Sequence, residues 1–225
     1  MVTRHRRNFD QDHEGTDITF GTLTGYPCCF SNMHQGWPKF TQHLWYATPD
    51  NGIAAFSYSP SEVTAKVGNN VSVVISEDTY YPMDNRISFT IKEVKNKTKQ
   101  VEFPLHLRIP KWCKRAEIIV NGKAEQYIEG GRIAVINRIW KRNDNVELHL
   151  PMEVSTSTWY ENAVTIERGP LVYALKIKEN WKKENLNNSW YGPHYYQVTS
   201  SEPWNYGLVD FDRSQVNKIA QVSID

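Results

Sequence analysis

The sequence predicts a mainly β protein: an antiparallel β-sandwich domain, or domains, preceded by a short helical segment. Three observations predict it. Apolar and polar residues alternate with period two at Val71-Val73-Ile75, Ile87-Phe89-Ile91, Leu105-Leu107-Ile109 and Val146-Leu148-Leu150, the signature of strands with one buried face. Turn chemistry separates these runs. Helical periodicity is rare between them.

The elements follow in order. From Met1 to about Tyr46 the chain is polar and loop-like as far as Pro27, then helical. Asn32 with Gln35 pairs a side-chain acceptor with a reciprocating amide, as at a helix start. Met33, Trp37, Phe40 and Leu44 then recur at spacings of four, three and four, which places them on one helix face. Pro38 conflicts with a regular helix from Asn32, because it lacks an N–H and crowds the preceding turn. The helix should kink there, or begin near Trp37 with Pro38 in its first turn.

Between about Gly52 and Pro151 lie the alternating runs. Asn121-Gly122, between Ala116–Val120 and Lys123–Tyr127, is the strongest short hairpin signal. Gly130-Gly131 and Asn143-Asp144-Asn145 mark further turns. From Glu153 onward, Ala163–Arg168 and Leu171–Ile177 read as two strands around Gly169-Pro170. After Lys178 the pattern dissolves, and Trp181–Tyr206 reads as an aromatic loop or edge. The predicted organisation is 1–46 as a helical segment with a cysteine pair, 47–151 as a β-sandwich, and 152–225 as further strands and an aromatic loop region.

Bulk properties narrow the function. The chain has 225 residues, enough for one large domain or two small ones, and 26 basic against 25 acidic side chains give a net charge of +1. That balance gives no reason to expect nucleic acid or an anionic membrane as partner. No apolar run approaches the roughly 20 residues of a membrane-spanning helix. Three cysteines, two of them adjacent, make a poor disulfide framework. Sequons start at Asn70, Asn96 and Asn187, a common chance triplet.

The chemically loaded stretch is Gly25-Tyr26-Pro27-Cys28-Cys29-Phe30-Ser31-Asn32. Two thiols lie just before a predicted helix, whose N-terminal N–H groups and partial positive charge favour a thiolate. The thiolate is the form that attacks carbon or binds metal. Both sulfurs could reach one zinc ion, which usually takes four ligands. No C-x-x-C partner pair or H-E-x-x-H exists, and His13, Glu14, Asp17 and His34 are merely nearby. Inert thiols, a reactive or metal-binding pair, and a strained vicinal disulfide all remain open on spacing alone.

Other candidates read as structural. Cys113 is a structural or surface thiol, and Glu167-Arg168 an ion pair or turn support. Asp10, Asp12, His13 and Asp17 fit a solvated loop as well as a sugar cleft. Trp190, Tyr191, Tyr195 and Trp204 could stack on sugars or pack against another domain.

The run Thr22–Tyr46 resembles the cysteine motif of glycoside hydrolase family 127, the β-L-arabinofuranosidase group. Three later stretches are similar to that group too: Leu105–Trp112 with Asn121-Gly122, Trp140–Met152 and Val164–Leu175. The resemblance covers roughly residues 8 to 178. It implies that the helical segment is the C-terminal end of a catalytic (α/α)6 barrel and that the sandwich follows it. It further implies Cys28 as nucleophile and zinc ligand and Cys29 as zinc ligand. The family's other ligands, a glutamate and a cysteine, and its acid/base glutamate lie well upstream and have no counterpart before Cys28. Asn143 stands where relatives often carry glycine, a change that Asn tolerates because it adopts left-handed backbone. The implied partners are an arabinose-containing or related plant oligosaccharide and the helical barrel. With that barrel absent, the apolar face Met33–Leu44 predicts self-association. The alternative is a non-catalytic sandwich that binds carbohydrate or serves as a structural platform.

Overall fold

The computed structural model describes residues 32–185, 194–203 and 206–207. Thr41–Ala174 belong to one compact unit, while the described residues up to Phe40 and from Leu175 to Gly207 belong to another. No described helix is long and apolar enough to cross a membrane.

The helix α1 (Gly36–Gln42) carries Pro38 in its first turn, the second of the two arrangements Pro38 predicts. The missing N–H there costs little, since first-turn donors lack intrahelical partners anyway. Before α1, Asn32 Oδ1 accepts from Gln35 Nε2 at 3.0 Å. No residue of α1 is buried. Met33 is 70%, Trp37 75% and Phe40 40% exposed, whereas Leu44 is buried.

The larger unit is a sandwich of two sheets. One has the order β1-β2-β6-β9, from β1 (Trp45–Ala47), β2 (Ile53–Ala55), β6 (Gln100–Ile109) and β9 (Arg132–Lys141). The other has the order β3-β4-β5-β10-β7-β8, from β3 (Ser61–Val67), β4 (Val71–Thr79), β5 (Arg86–Lys95), β10 (Asn145–His149), β7 (Arg115–Val120) and β8 (Lys123–Glu129). The predicted antiparallel pairing holds except at one place: β2 runs parallel to β6, with Ile53 opposite Leu105.

Alternation fixes which side chains face inward. Phe103, Leu105, Leu107, Ile136 and Trp140 of the first sheet meet Val73, Ile75, Phe89, Ile118 and Leu148 of the second in one core. Each such side chain contributes about 1.5–3 kcal/mol by leaving water. Trp140 also satisfies its indole N–H, which donates to Phe103 O at 2.8 Å. The phase of β5 slips once. Register shifts opposite Val74/Ile75, so Val94 turns inward after Ile91 and keeps Lys92 and Glu93 outside.

The odd-to-even connections β1–β2, β3–β4, β5–β6, β7–β8 and β9–β10 all fall at one end of the sandwich, because paired strands alternate direction. Asn121 and Gly122 take φ of 51° and 78°, the left-handed pair a two-residue hairpin requires. Asn143 sits at φ 68°, as its tolerance predicts. Buried Asp144 ties two of these turns together, accepting from Asn121 Nδ2 and from Lys141 N, each at 2.9 Å.

A three-stranded sheet follows, from β11 (Val154–Thr158), β12 (Val164–Arg168) and β13 (Leu171–Tyr173). The hairpin around Gly169-Pro170 is where the sequence puts it, though its second strand stops at Tyr173 and not at Ile177. In the other unit, β14 (Asn180–Asn185) pairs with β15 (His194–Thr199). The region that reads as an aromatic loop thus contains a hairpin. Its alternation is masked because long charged side chains stand on both faces, with Lys183 on the face of Trp181 and Tyr196 and with Lys182 and Glu184 on the other.

Candidate functional site

Cys28 and Cys29 lie outside the described residues, as do Asp10, Asp12, His13, Glu14, Asp17, Trp190, Tyr191 and Trp204 and the side chain of Tyr195. His34 is exposed in the turn before α1. Among the described residues, no group of three His, Cys, Asp or Glu side chains could hold a metal ion.

The remaining candidates resolve as structural. Cys113 is buried in the turn after β6, and burial pushes its thiol pKa up, which keeps it an inert thiol. Glu167 accepts from Ser157 Oγ at 2.6 Å across β11 and β12, so it braces that sheet. On the outer face of the larger sheet, His149 lies between two glutamates, 3.6 Å from Glu117 and 3.3 Å from Glu147. This grouping has the composition of a catalytic site. However, Arg86 pairs with Glu147 at 3.5 Å and Tyr127 donates to Glu117 at 2.8 Å. The result is a ladder of cross-strand pairs on a flat face, which stabilises a sheet and encloses no substrate.

Two features escape the sequence reading. The first is Glu77, 3% exposed. It continues the inward phase of Val73 and Ile75 along β4, so its burial follows from the alternation. Its Oε1 accepts from Ser59 N at 2.9 Å, and Oε2 lies 3.4 Å from Ser61 Oγ, which accepts from Trp45 Nε1 at 3.1 Å. No cation pairs with it among the described residues, and desolvation pushes its pKa up to about 8. In the neutral form it donates to Ser61 Oγ and keeps the acceptor for Ser59 N.

The second feature is a cleft of about 470 Å³ at the turn-bearing end of the sandwich, lined among others by Asp50, Asn69, Asn96, Gln100, Glu102 and Asn137. Its walls are the β1–β2, β3–β4 and β5–β6 connections together with the start of β6. The walls are fixed by hydrogen bonds. Asn96 Nδ2 donates to Gln100 O at 2.7 Å, and Thr98 Oγ1 donates to the same oxygen at 3.1 Å. Gly68 N donates to Asn51 O at 2.7 Å. Asp50 bonds Thr48 and lies 2.9 Å from His106 Nε2. Those contacts, the Thr48 hydrogen bond foremost, hold the Asp50 carboxyl below its usual range. At Gly52 a Cβ would run into Pro104 O, so only glycine lets this loop lie flat on β6. The local trace of the cleft in the sequence is an Asn in each of three successive odd-to-even turns, at Asn51, Asn69 and Asn96, and nothing local says that these turns meet.

Comparisons with known proteins agree with this architecture. Residues 52–152 match the family model of the β-L-arabinofuranosidase GH127 middle domain. No curated protein matches the chain. Among solved structures, the GH127 β-L-arabinofuranosidase Ara127N-Se from Geobacillus stearothermophilus T6 is similar with a TM-score of 0.60 and 22% identity, covering 88% of this chain and 35% of its own. A structure described as a glycoside hydrolase gives 0.57 and 26%, covering 82% and 35%. The GH127 β-arabinofuranosidase BT3674 gives 0.57 and 20%, covering 78% and 32%. The chain spans about a third of the length of these proteins. Residues 52–152 thus match the GH127 middle domain, and the fold over most of the chain is similar to that of GH127 proteins.

Proposed function

We propose that the chain is part of a retaining glycoside hydrolase acting on β-L-arabinofuranosides or related plant-derived glycosides, with Cys28 as its nucleophile. The observation that carries this reading is the GH127 middle-domain match over residues 52–152. In the same chain, that domain follows a Pro-Cys-Cys-Phe run that resembles the family's cysteine motif. The related enzymes are about three times as long. In this reading activity resides in a polypeptide of comparable length, and the present chain alone turns over nothing.

The chemistry follows from sulfur. A Cys28 thiolate attacks the anomeric carbon, forming an S–C bond as the C–O bond to the leaving group breaks. The departing oxygen takes its proton from an acid on the upstream helical barrel. Water then displaces sulfur from the opposite face of the thioglycosyl intermediate, and two inversions give net retention. Cys28 and Cys29 would hold zinc, which when bound supplies deprotonated and fixed thiols. Two adjacent thiols suit zinc but are half of a four-ligand shell. A glutamate and a cysteine from the barrel complete it in this reading.

The test uses the complete polypeptide with zinc and a reductant. Hydrolysis of an aryl β-L-arabinofuranoside falls by about 10³-fold or more in Cys28→Ser, and zinc content measured by mass spectrometry falls with it. Undiminished hydrolysis by Cys28→Ser removes the nucleophile assignment.

A further inference from the structure

We infer that the cleft at the turn-bearing end of the sandwich binds a neutral sugar. Its volume of about 470 Å³ lies within the range of small-molecule sites, roughly 300–1,000 Å³, and suits one or two monosaccharide units. Its chemistry is unusual for such a site, because polar side chains dominate the lining. Among the described residues, the side chains of Asn69, Gln100, Glu102 and Asn137 make no hydrogen bond within the chain, yet all four converge on the cleft.

The donor and acceptor inventory selects the ligand. Asn69, Gln100 and Asn137 each offer an amide that both donates and accepts, and the Glu102 carboxylate only accepts. Sugar hydroxyls also donate and accept, so every one of these groups finds a complement. A phosphate or carboxylate ligand would need donors and positive charge. No Lys or Arg lines the cleft, and Asp50 and Glu102 make it repulsive to anions. Val71 and Pro104 add a small apolar surface on which the C–H face of a sugar ring can lie.

The site is also rigid before any ligand arrives. The β5–β6 turn is closed by the two hydrogen bonds onto Gln100 O, and the β1–β2 loop is held against β6 at Gly52 and through the Asp50–His106 contact. A ligand therefore orders little backbone on binding, which lowers the entropy cost that weakens most sugar sites. This assignment stands on the cleft alone. It holds or fails whether or not Cys28 is a nucleophile.

The test is a titration of the ¹⁵N-labelled full chain with L-arabinose, D-xylose, D-galactose and D-glucose, each to about 100 mM, followed by amide chemical shifts. At least one sugar is expected to give saturable shifts at Gly68–Asn69 and Asn96–Gln100. Asn137→Trp, which fills the cleft from an exposed strand position, abolishes them while leaving the thermal midpoint unchanged. Glu102→Gln keeps the volume and weakens binding by about tenfold. No saturable shift with any of the four, shifts that survive Asn137→Trp, or a response to calcium chloride alone would each overturn the assignment.

Discussion

The sandwich and the helical segment before it are built from the same kinds of residue and treat them in opposite ways. In the sandwich, Trp140, Phe89 and Leu105 are fully buried, and the one indole N–H in the deepest layer is hydrogen-bonded. In the helical segment, Met33 and Trp37 stand open, and Trp37 meets the ring of Phe40 on the same helix at 6.3 Å. Apolar patterning in the first region describes a core that the chain closes by itself. In the second it describes a face for which the described residues supply no cover. A hydrophobic pattern therefore tells which side of an element is apolar but not who covers it.

The sharpest way to break this contrast is to truncate one tryptophan in each region. Trp140→Ala removes a filled core position and leaves Phe103 O without its donor, so it lowers the unfolding free energy by about 3–5 kcal/mol. Trp37→Ala changes it by less than about 0.5 kcal/mol. Urea unfolding followed by circular dichroism measures both. Equal losses would mean that α1 is as integral to the fold as β9.

Glu77 sharpens the contrast from within the core. Its folded pKa of about 8 lies above the ordinary 4.5. A carboxyl shifted upward favours folding while it is neutral. Its contribution is therefore complete below about pH 4.5 and is lost as pH rises toward 8. The expected loss is on the order of 2–4 kcal/mol. Glu77→Gln reproduces the neutral form, with an oxygen for Ser59 N and an N–H₂ for Ser61 Oγ. The variant should match the parent near pH 4.5 and exceed it at pH 9. Urea midpoints at the two pH values decide it, and a difference independent of pH would show that no charge is being buried.

Much of the sandwich is legible in the sequence, because alternation and turn dipeptides are local signals. Asn121-Gly122 and Gly169-Pro170 each mark a hairpin where one exists, and Asn143 marks the turn that carries the chain from one sheet to the other. Even the bulge in β5 is written as a three-residue step from Ile91 to Val94. The parallel β2–β6 pair is not legible, because three residues carry no record of direction. Nor is the cleft, since Asn69, Asn96 and Asn137 lie up to 68 positions apart and only strand pairing brings them together. The cysteine pair is the reverse case. Its adjacency and its resemblance to a known motif are visible in the sequence, while the residues lie outside those the structure describes.

The smallest stability effect and the most direct statement about the helical face come from the same substitutions. Met33→Ser and Trp37→Ser each remove apolar area that is already in water, so the thermal midpoint of the sandwich should move by no more than about 1–2 °C. The change should appear in association instead. An exposed stripe of Met33, Trp37 and Phe40 gains by covering itself against a second copy at about 25 cal/mol per Å² of apolar surface removed from water, and the double variant loses most of that gain. Light scattering of the parent chain is expected to show an apparent mass that rises with concentration, and the double variant should remain closer to the 26.2 kDa of one chain. A parent chain that stays monomeric at every concentration would mean that this face needs no cover, and the contrast between the two regions would reduce to one of composition.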